Sequence, residues 1–213
     1  MRNIELVKKS IISVMALNND TLDAGYHHSR SYNDAIIVCK HGIMTISDLN
    51  AHGIRKDTPE ALKTMSDSES HVNGINAVSL AVVGLQDIYD DEDVYDPFNP
   101  RDVDFLVDDS VEAGRSSINY ANEFLCHRSI GINELRSIDI RLLKLIRLLE
   151  SNDRETTIFN GVNDSTIINN YNCLIDIARE MENQGLPIPL REMSDDSKIY
   201  RLDICELAKK SKM

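Results

Sequence analysis

Hydrophobic positions recur at spacings of three and four through most of the chain, which predicts a mainly α-helical protein. In the first segment Ile4, Val7, Ile11, Ile12 and Met15 fall on one helical face, and Asn18, Asn19 and Asp20 end it. Residues 20–34 are polar and aperiodic and read as a loop. Residues 35–46, AIIVCKHGIMTI, carry β-branched runs on either side of Lys40, His41 and Gly42, which suits a short hairpin. Thr58, Pro59 and Glu60 supply an N-cap, a first-turn proline and a first-turn acid, so a short helix follows. Residues 73–89 are apolar on most sides and read as a buried helix, with a strand as the alternative for 77–85.

Three long helices are predicted downstream. Residues 109–129 place Val111, Ile118, Ala121 and Leu125 on one face behind a cap at Asp109 or Ser110. Residues 131–152 carry the stripe Leu135, Ile138, Leu142, Leu145 and Leu149, widened by Leu143, Ile146 and Leu148. Residues 163–185 align Ile167, Tyr171, Leu174, Ile175, Ala178 and Met181 and stop at Gly185. Pro187 and Pro189 then forbid helix, and an amphipathic helix over 196–212 closes the chain. The expected architecture is a helical bundle in the C-terminal half with a small hairpin near the N-terminus. Its organisation reads as a mixed helical part at 1–89, an acidic connecting segment at 90–109 and a bundle at 110–213, or as a single domain with one long loop.

Composition narrows the function. The 213 residues are 42% hydrophobic, mostly Ile, Leu and Val with no Trp, so the core is aliphatic and stacking platforms for single-stranded nucleic acid are scarce. With 35 acidic and 23 basic residues the net charge is −12, which repels phosphate backbones and anionic lipid. Nucleic-acid and membrane partners are therefore not expected. Cys39, Cys126, Cys173 and Cys205 are far apart and lack zinc-type spacing, so neither structural zinc nor any other cofactor is expected. Charges interrupt the first apolar segment and no run approaches a membrane span, which points to the cytoplasm. The richness in Asn, Ile and Asp is compatible with a viral or phage source, for which the setting becomes the host cytoplasm or the virion.

Candidate chemistry concentrates in residues 89–109, YDDEDVYDPFNPRDVDFLVDD, where nine of twenty-one residues are carboxylates. No register puts glycine at the sixth position of a calcium loop, which excludes an EF-hand. Asp90, Asp91, Glu92 and Asp93 form an acidic docking candidate. Asp102 and Asp104 flank one apolar residue and precede Phe105, Leu106 and Val107, so on a strand both carboxylates aim to one side and can hold Mg²⁺ on a triphosphate. This run resembles the Asp-x-Asp strand of the polymerase-β-like nucleotidyltransferases, whose two acids are joined by a third on a later strand. That family also carries a glycine turn about a dozen residues upstream for the nucleotide phosphates. The nearest glycine here is Gly84, and the turn is missing.

His27 and His28, beside Tyr26, Ser29 and Arg30, read as exposed and idle in their polar loop. Nucleophile elbows, Walker loops and dinucleotide fingerprints do not occur. Elimination leaves a non-enzymatic protein-binding or assembly subunit, forming a homo-oligomer or part of a larger assembly, in which the stripe of Leu135, Leu142, Leu145 and Leu149 is either central in the bundle or the interface with another chain. The alternative is a metal-dependent nucleotidyltransferase-like enzyme using Asp102 and Asp104.

Overall fold

Strands from both halves of the chain share one mixed sheet in the computed structural model, which describes residues 3–18, 25–68, 75–83, 102–115, 123–151, 162–193 and 198–213. The expected mainly α, all-helical bundle is therefore wrong, and the fold is α/β. The described strands are β1 (Met15–Asn18), β2 (Gly25–Arg30), β3 (Val78–Val83), β4 (Val103–Val107), β5 (Gly114–Arg115), β6 (Glu123–Cys126), β7 (Leu135–Ile140), β8 (Leu190–Met193) and β9 (Ile199–Leu202). Their order is β1-β9-β8-β7-β4-β2-β3-β6-β5, antiparallel except for β7 with β8. The described α-helices are α1 (Asn3–Ile12), α2 (Tyr32–His41), α3 (Ile46–Ala51), α4 (Pro59–Ser68), α5 (Leu142–Glu150), α6 (Asp164–Gln184) and α7 (Ile204–Ala208). Among the described residues no helix is long and apolar enough to cross a membrane.

The sheet has two chemically different faces. Val103, Phe105 and Val107 of β4, Ile138 and Ile140 of β7, and Leu190 of β8 join the main core with Ile4, Val38, Ile146 and Leu174 of the helices. Alternation along each strand sends Asp104, Leu106, Ser137, Asp139 and Arg191 to the opposite face. These are buried as well. The central strands thus have no wet side, which is why their sequence reads as a continuous apolar run with isolated polar residues.

Several predicted elements change type for local reasons. The hairpin expected at 35–46 is α2: Ser31 accepts the Asp34 N–H as N-cap, and Tyr32, Ala35, Val38 and Cys39 form the buried face. The loop expected over 20–34 contains β2, and the buried helix expected over 73–89 contains β3. The helix expected over 109–129 contains β5 and β6. The long helix expected over 131–152 divides into a 3₁₀ turn (Ile132–Glu134), β7 and α5, because Arg141 adopts φ −132° and ψ 39° between strand and helix. The closing helix divides into β9 and α7, the latter capped by Asp203. By contrast α6 runs as the periodicity requires, from an Asn163 cap to a left-handed Gly185.

The leucines assigned to an intersubunit stripe are interior. Leu142 is fully buried, Leu135 and Leu145 are nearly so, and Leu149 packs against the same core. They also do not share one helix, since Leu135 belongs to β7.

Candidate functional site

One row of polar residues crosses the sheet. The register pairs Ser29 with Asp104, Asp104 with Asp139, Asp139 with Arg191 and Arg191 with Arg201, so one face carries Ser, Asp, Asp, Arg and Arg on β2, β4, β7, β8 and β9. Directly opposed residues emerge on the same side of a sheet, which brings these groups together. His27, two residues before Ser29, lies on that face too.

The row is internally paired. Ser29 Oγ donates to Asp104, and Arg141 Nη2 donates to Asp104 Oδ2 at 2.9 Å. Arg191 grips Asp139 with two nitrogens, at 2.6 and 2.7 Å, and donates to Ser137 Oγ at 2.8 Å. Such a bidentate pair is the strong geometry for guanidinium and carboxylate, and these two side chains are almost wholly excluded from solvent. His27 is 4% exposed, and burial holds its imidazole below its ordinary pKa against the opposing pull of Asp104 and Asp139. Its Nε2 finds no hydrogen-bond partner among the described residues.

Asp102 stands just before β4. Because β4 runs antiparallel to β2 and β7, its start lies at the edge of the sheet where β2 and β7 finish and hand the chain to α2 and α5. Burial, reinforced by the Asp104 charge and opposed by Arg141, pushes the Asp102 carboxyl up to about 7. Asn170 of α6 donates to it at 3.5 Å, the outer limit for such a bond.

The same edge holds a buried acid on the helical side. Glu192 accepts the N–H groups of Leu142 and Leu143 at 3.2 and 2.8 Å, capping a helix whose N-cap residue, Arg141, makes no side-chain cap. Tyr32 lies nearby, fully buried, with its phenol pKa raised well above the usual value, first by desolvation and then by Glu192 and Asp102.

The expected strand is present as β4, with Asp104 in it and Asp102 just before it, and the structure gathers around it Asp139, Arg141 and Arg191, which sequence reasoning missed, and His27 and Ser29, which it left in a polar loop. For Asp139 a signal existed, an acid flanked by Ile138 and Ile140. The histidines are corrected from an exposed loop to β2, with His28 Nδ1 donating to the Ser79 carbonyl at 2.8 Å. The acidic run Asp90, Asp91, Glu92 and Asp93 lies outside the described residues. Cys39 behaves as a core hydrophobe, its thiol pushed up to about 12 by burial. Among the described residues no three His, Cys, Asp or Glu side chains converge as a metal-ligand set. The acids at the start of β4 are Asp102 and Asp104, and the charge of Asp104 acts on the Asp102 carboxyl.

The class defined here is an α/β protein with a buried acid, guanidinium and imidazole cluster at the helix-bearing edge of a mixed sheet. Compared with known proteins, the chain matches no family, no curated protein and no solved structure.

Proposed function

We propose that the chain is a phosphate-processing enzyme of the nucleotidyltransferase-like type, with Asp102 and Asp104 holding a divalent cation on a nucleoside triphosphate. The observation that carries this reading is the register of Asp104 against Asp139. The resemblance calls for a third acid on a later strand, and β7 carries Asp139 directly opposite the second member of the pair, where Arg191 holds it and it does not converge with the other two as a ligand set. A two-carboxylate set suits Mg²⁺, which keeps several waters and takes its other ligands from substrate phosphates. The cation would supply charge neutralisation at the phosphates, and the residues of this chain bind and orient.

The site is closed as it stands. Asp104 is committed to Ser29 and Arg141, and Asp102 is half protonated near neutral pH. Cation binding therefore has to displace a guanidinium and a proton. That the acids neighbour arginines is itself suited to a substrate carrying several negative charges.

The reading as a non-enzymatic assembly subunit loses its leucine stripe to the chain's own core. Among the described residues it retains the exposed Leu6 and Ile12 of α1.

The test is thermal unfolding with millimolar Mg²⁺ or Mn²⁺, a nucleoside triphosphate, and both together. A ligand that binds only the folded state raises Tm by mass action. The expected result is a rise that requires cation and nucleotide together and vanishes in Asp102→Asn and Asp104→Asn. An unchanged Tm in wild type under all conditions rejects the proposal.

A further inference from the structure

The two arginines that neutralise the polar row are built differently. Arg191 spends two guanidinium nitrogens on one carboxylate, and its side chain is 6% exposed. That pair is complete. Among the described residues Arg141 makes one side-chain bond, from Nη2 to Asp104 Oδ2, its Nε is buried without a hydrogen-bond partner, and its side chain is 23% exposed. A buried guanidinium N–H without an acceptor is costly, so Nε gains from any acceptor brought to it. Arg141 also sits at the junction of β7 and α5, the edge where the cation is placed above.

We propose that Arg141 is an exchangeable counterion: it occupies Asp104 while the site is empty and transfers to the phosphate oxygens of an incoming triphosphate when a cation takes its place. This inference rests on the proposed function. The exchange follows from geometry and charge. A cation on Asp104 competes for the oxygen that Nη2 now holds, and it repels the guanidinium beside it. The planar fork then has Nε and Nη2 free on one edge, the pair that grips a phosphate through two parallel bonds. No charge is left unpaired, because cation and carboxylate, guanidinium and phosphate, pair in place of the original couple.

The arrangement makes a prediction of opposite sign for two ligands. Replacing the guanidinium by an apolar side chain of similar length frees Asp104 for the cation while removing the phosphate grip. Mn²⁺ is the probe, its free concentration read by electron paramagnetic resonance, first alone and then with ATP at saturating Mn²⁺. In Arg141→Met the affinity for Mn²⁺ alone should rise by about tenfold, the size expected for removing one adjacent positive charge. The affinity for ATP should fall by about tenfold or more. Arg141→Lys keeps the charge but not the fork, so Mn²⁺ binding should stay near wild type while ATP binding weakens. This second variant carries the test if the first does not fold, as judged by far-ultraviolet circular dichroism.

A fall in both affinities in a folded Arg141→Met protein makes Arg141 a structural residue and overturns the inference, while leaving cation binding at Asp102 and Asp104 standing. Unchanged ATP affinity in both variants also overturns it. Wild-type protein that binds no Mn²⁺ with or without ATP rejects the underlying reading and this inference with it.

Discussion

Glu192 of β8 accepts the backbone N–H of Leu143 at 2.8 Å, so the helix α5 is started by a carboxylate forty-nine residues further along the chain. No residue next to α5 does this work, since Arg141 provides no cap. Removing the acid leaves buried N–H groups without an acceptor, which costs about 1–3 kcal/mol for each. Glu192→Ala should therefore lower the unfolding free energy by about 3 kcal/mol in urea titration, and Glu192→Gln, which keeps one acceptor oxygen, by less. An unchanged midpoint for both would show that the first turn of α5 needs no such cap.

Asp102 gives a pH signature. Its carboxyl has an ordinary value of 3.8 and titrates at about 7 in the fold, so between those limits the folded chain binds a proton that the unfolded chain releases. Stability is then greatest below about pH 4 as far as this group is concerned and declines as pH rises toward 7. Asp102→Asn should flatten that decline and be the more stable protein at pH 8. Chemical denaturation at several pH values reads the difference, and parallel curves for the two proteins would place the Asp102 pKa near its ordinary value.

The pair of Asp139 and Arg191 should behave as an all-or-nothing unit. Asp139→Ala strands a buried guanidinium and is expected to cost about 3–5 kcal/mol, whereas replacing both partners by Leu and Met costs much less than the two single changes combined. A double-mutant cycle measures the coupling. Additive losses would mean that the two groups are independently satisfied.

Gly42 closes α2 at φ +78°, and a Cβ there would come 2.2 Å from the Ile130 carbonyl oxygen. That carbonyl accepts the Ile43 N–H at 2.9 Å, and Ile130 N–H donates back to Ile43 at 2.8 Å. Gly42→Ala should break this bridge and lower stability by about 2 kcal/mol or more. A Tm equal to wild type would show that the turn relaxes freely.

Leu142→Asp separates the two readings of the leucines. Because Leu142 is fully buried within the chain, the charge should unfold the protein, seen as loss of far-ultraviolet circular dichroism. A folded variant of lower mass in light scattering would return Leu142 to an intersubunit surface.

How much of this was readable in advance depends on the distance over which each element is determined. The helix α6 was legible because its caps, Asn163 and Gly185, and its buried face all lie within the segment. The segment 131–152 was misleading for a physical reason. Leu135 and Ile138 sit three apart, and the bulge that pairs Val107 with Leu135 and Leu106 with Ser137 puts both on the core face, while Ser137 and Asp139 on the other face are buried too. A strand without a wet side loses its alternation and mimics a buried helix. The strand that holds Asp104 and follows Asp102 was recognisable from Val103 and from Phe105, Leu106 and Val107. The partners of Asp104 were not, since Ser29, Arg141 and Asp139 reach it only through pairing between segments tens of residues apart.

The pairing of β1 with β9 has a consequence for how the protein is made. Met15 to Asn18 find their partners at residues 199–202, and no other described strand accepts β1. During synthesis, at about 5–20 residues per second, the first strand waits roughly 10–40 s for its neighbour to emerge from the ribosome. Until then β1 has no place, and β8 presents an open edge of backbone donors and acceptors. Nascent chains stalled before residue 199 should be bound by chaperones and cut by proteases well beyond what their length alone would predict.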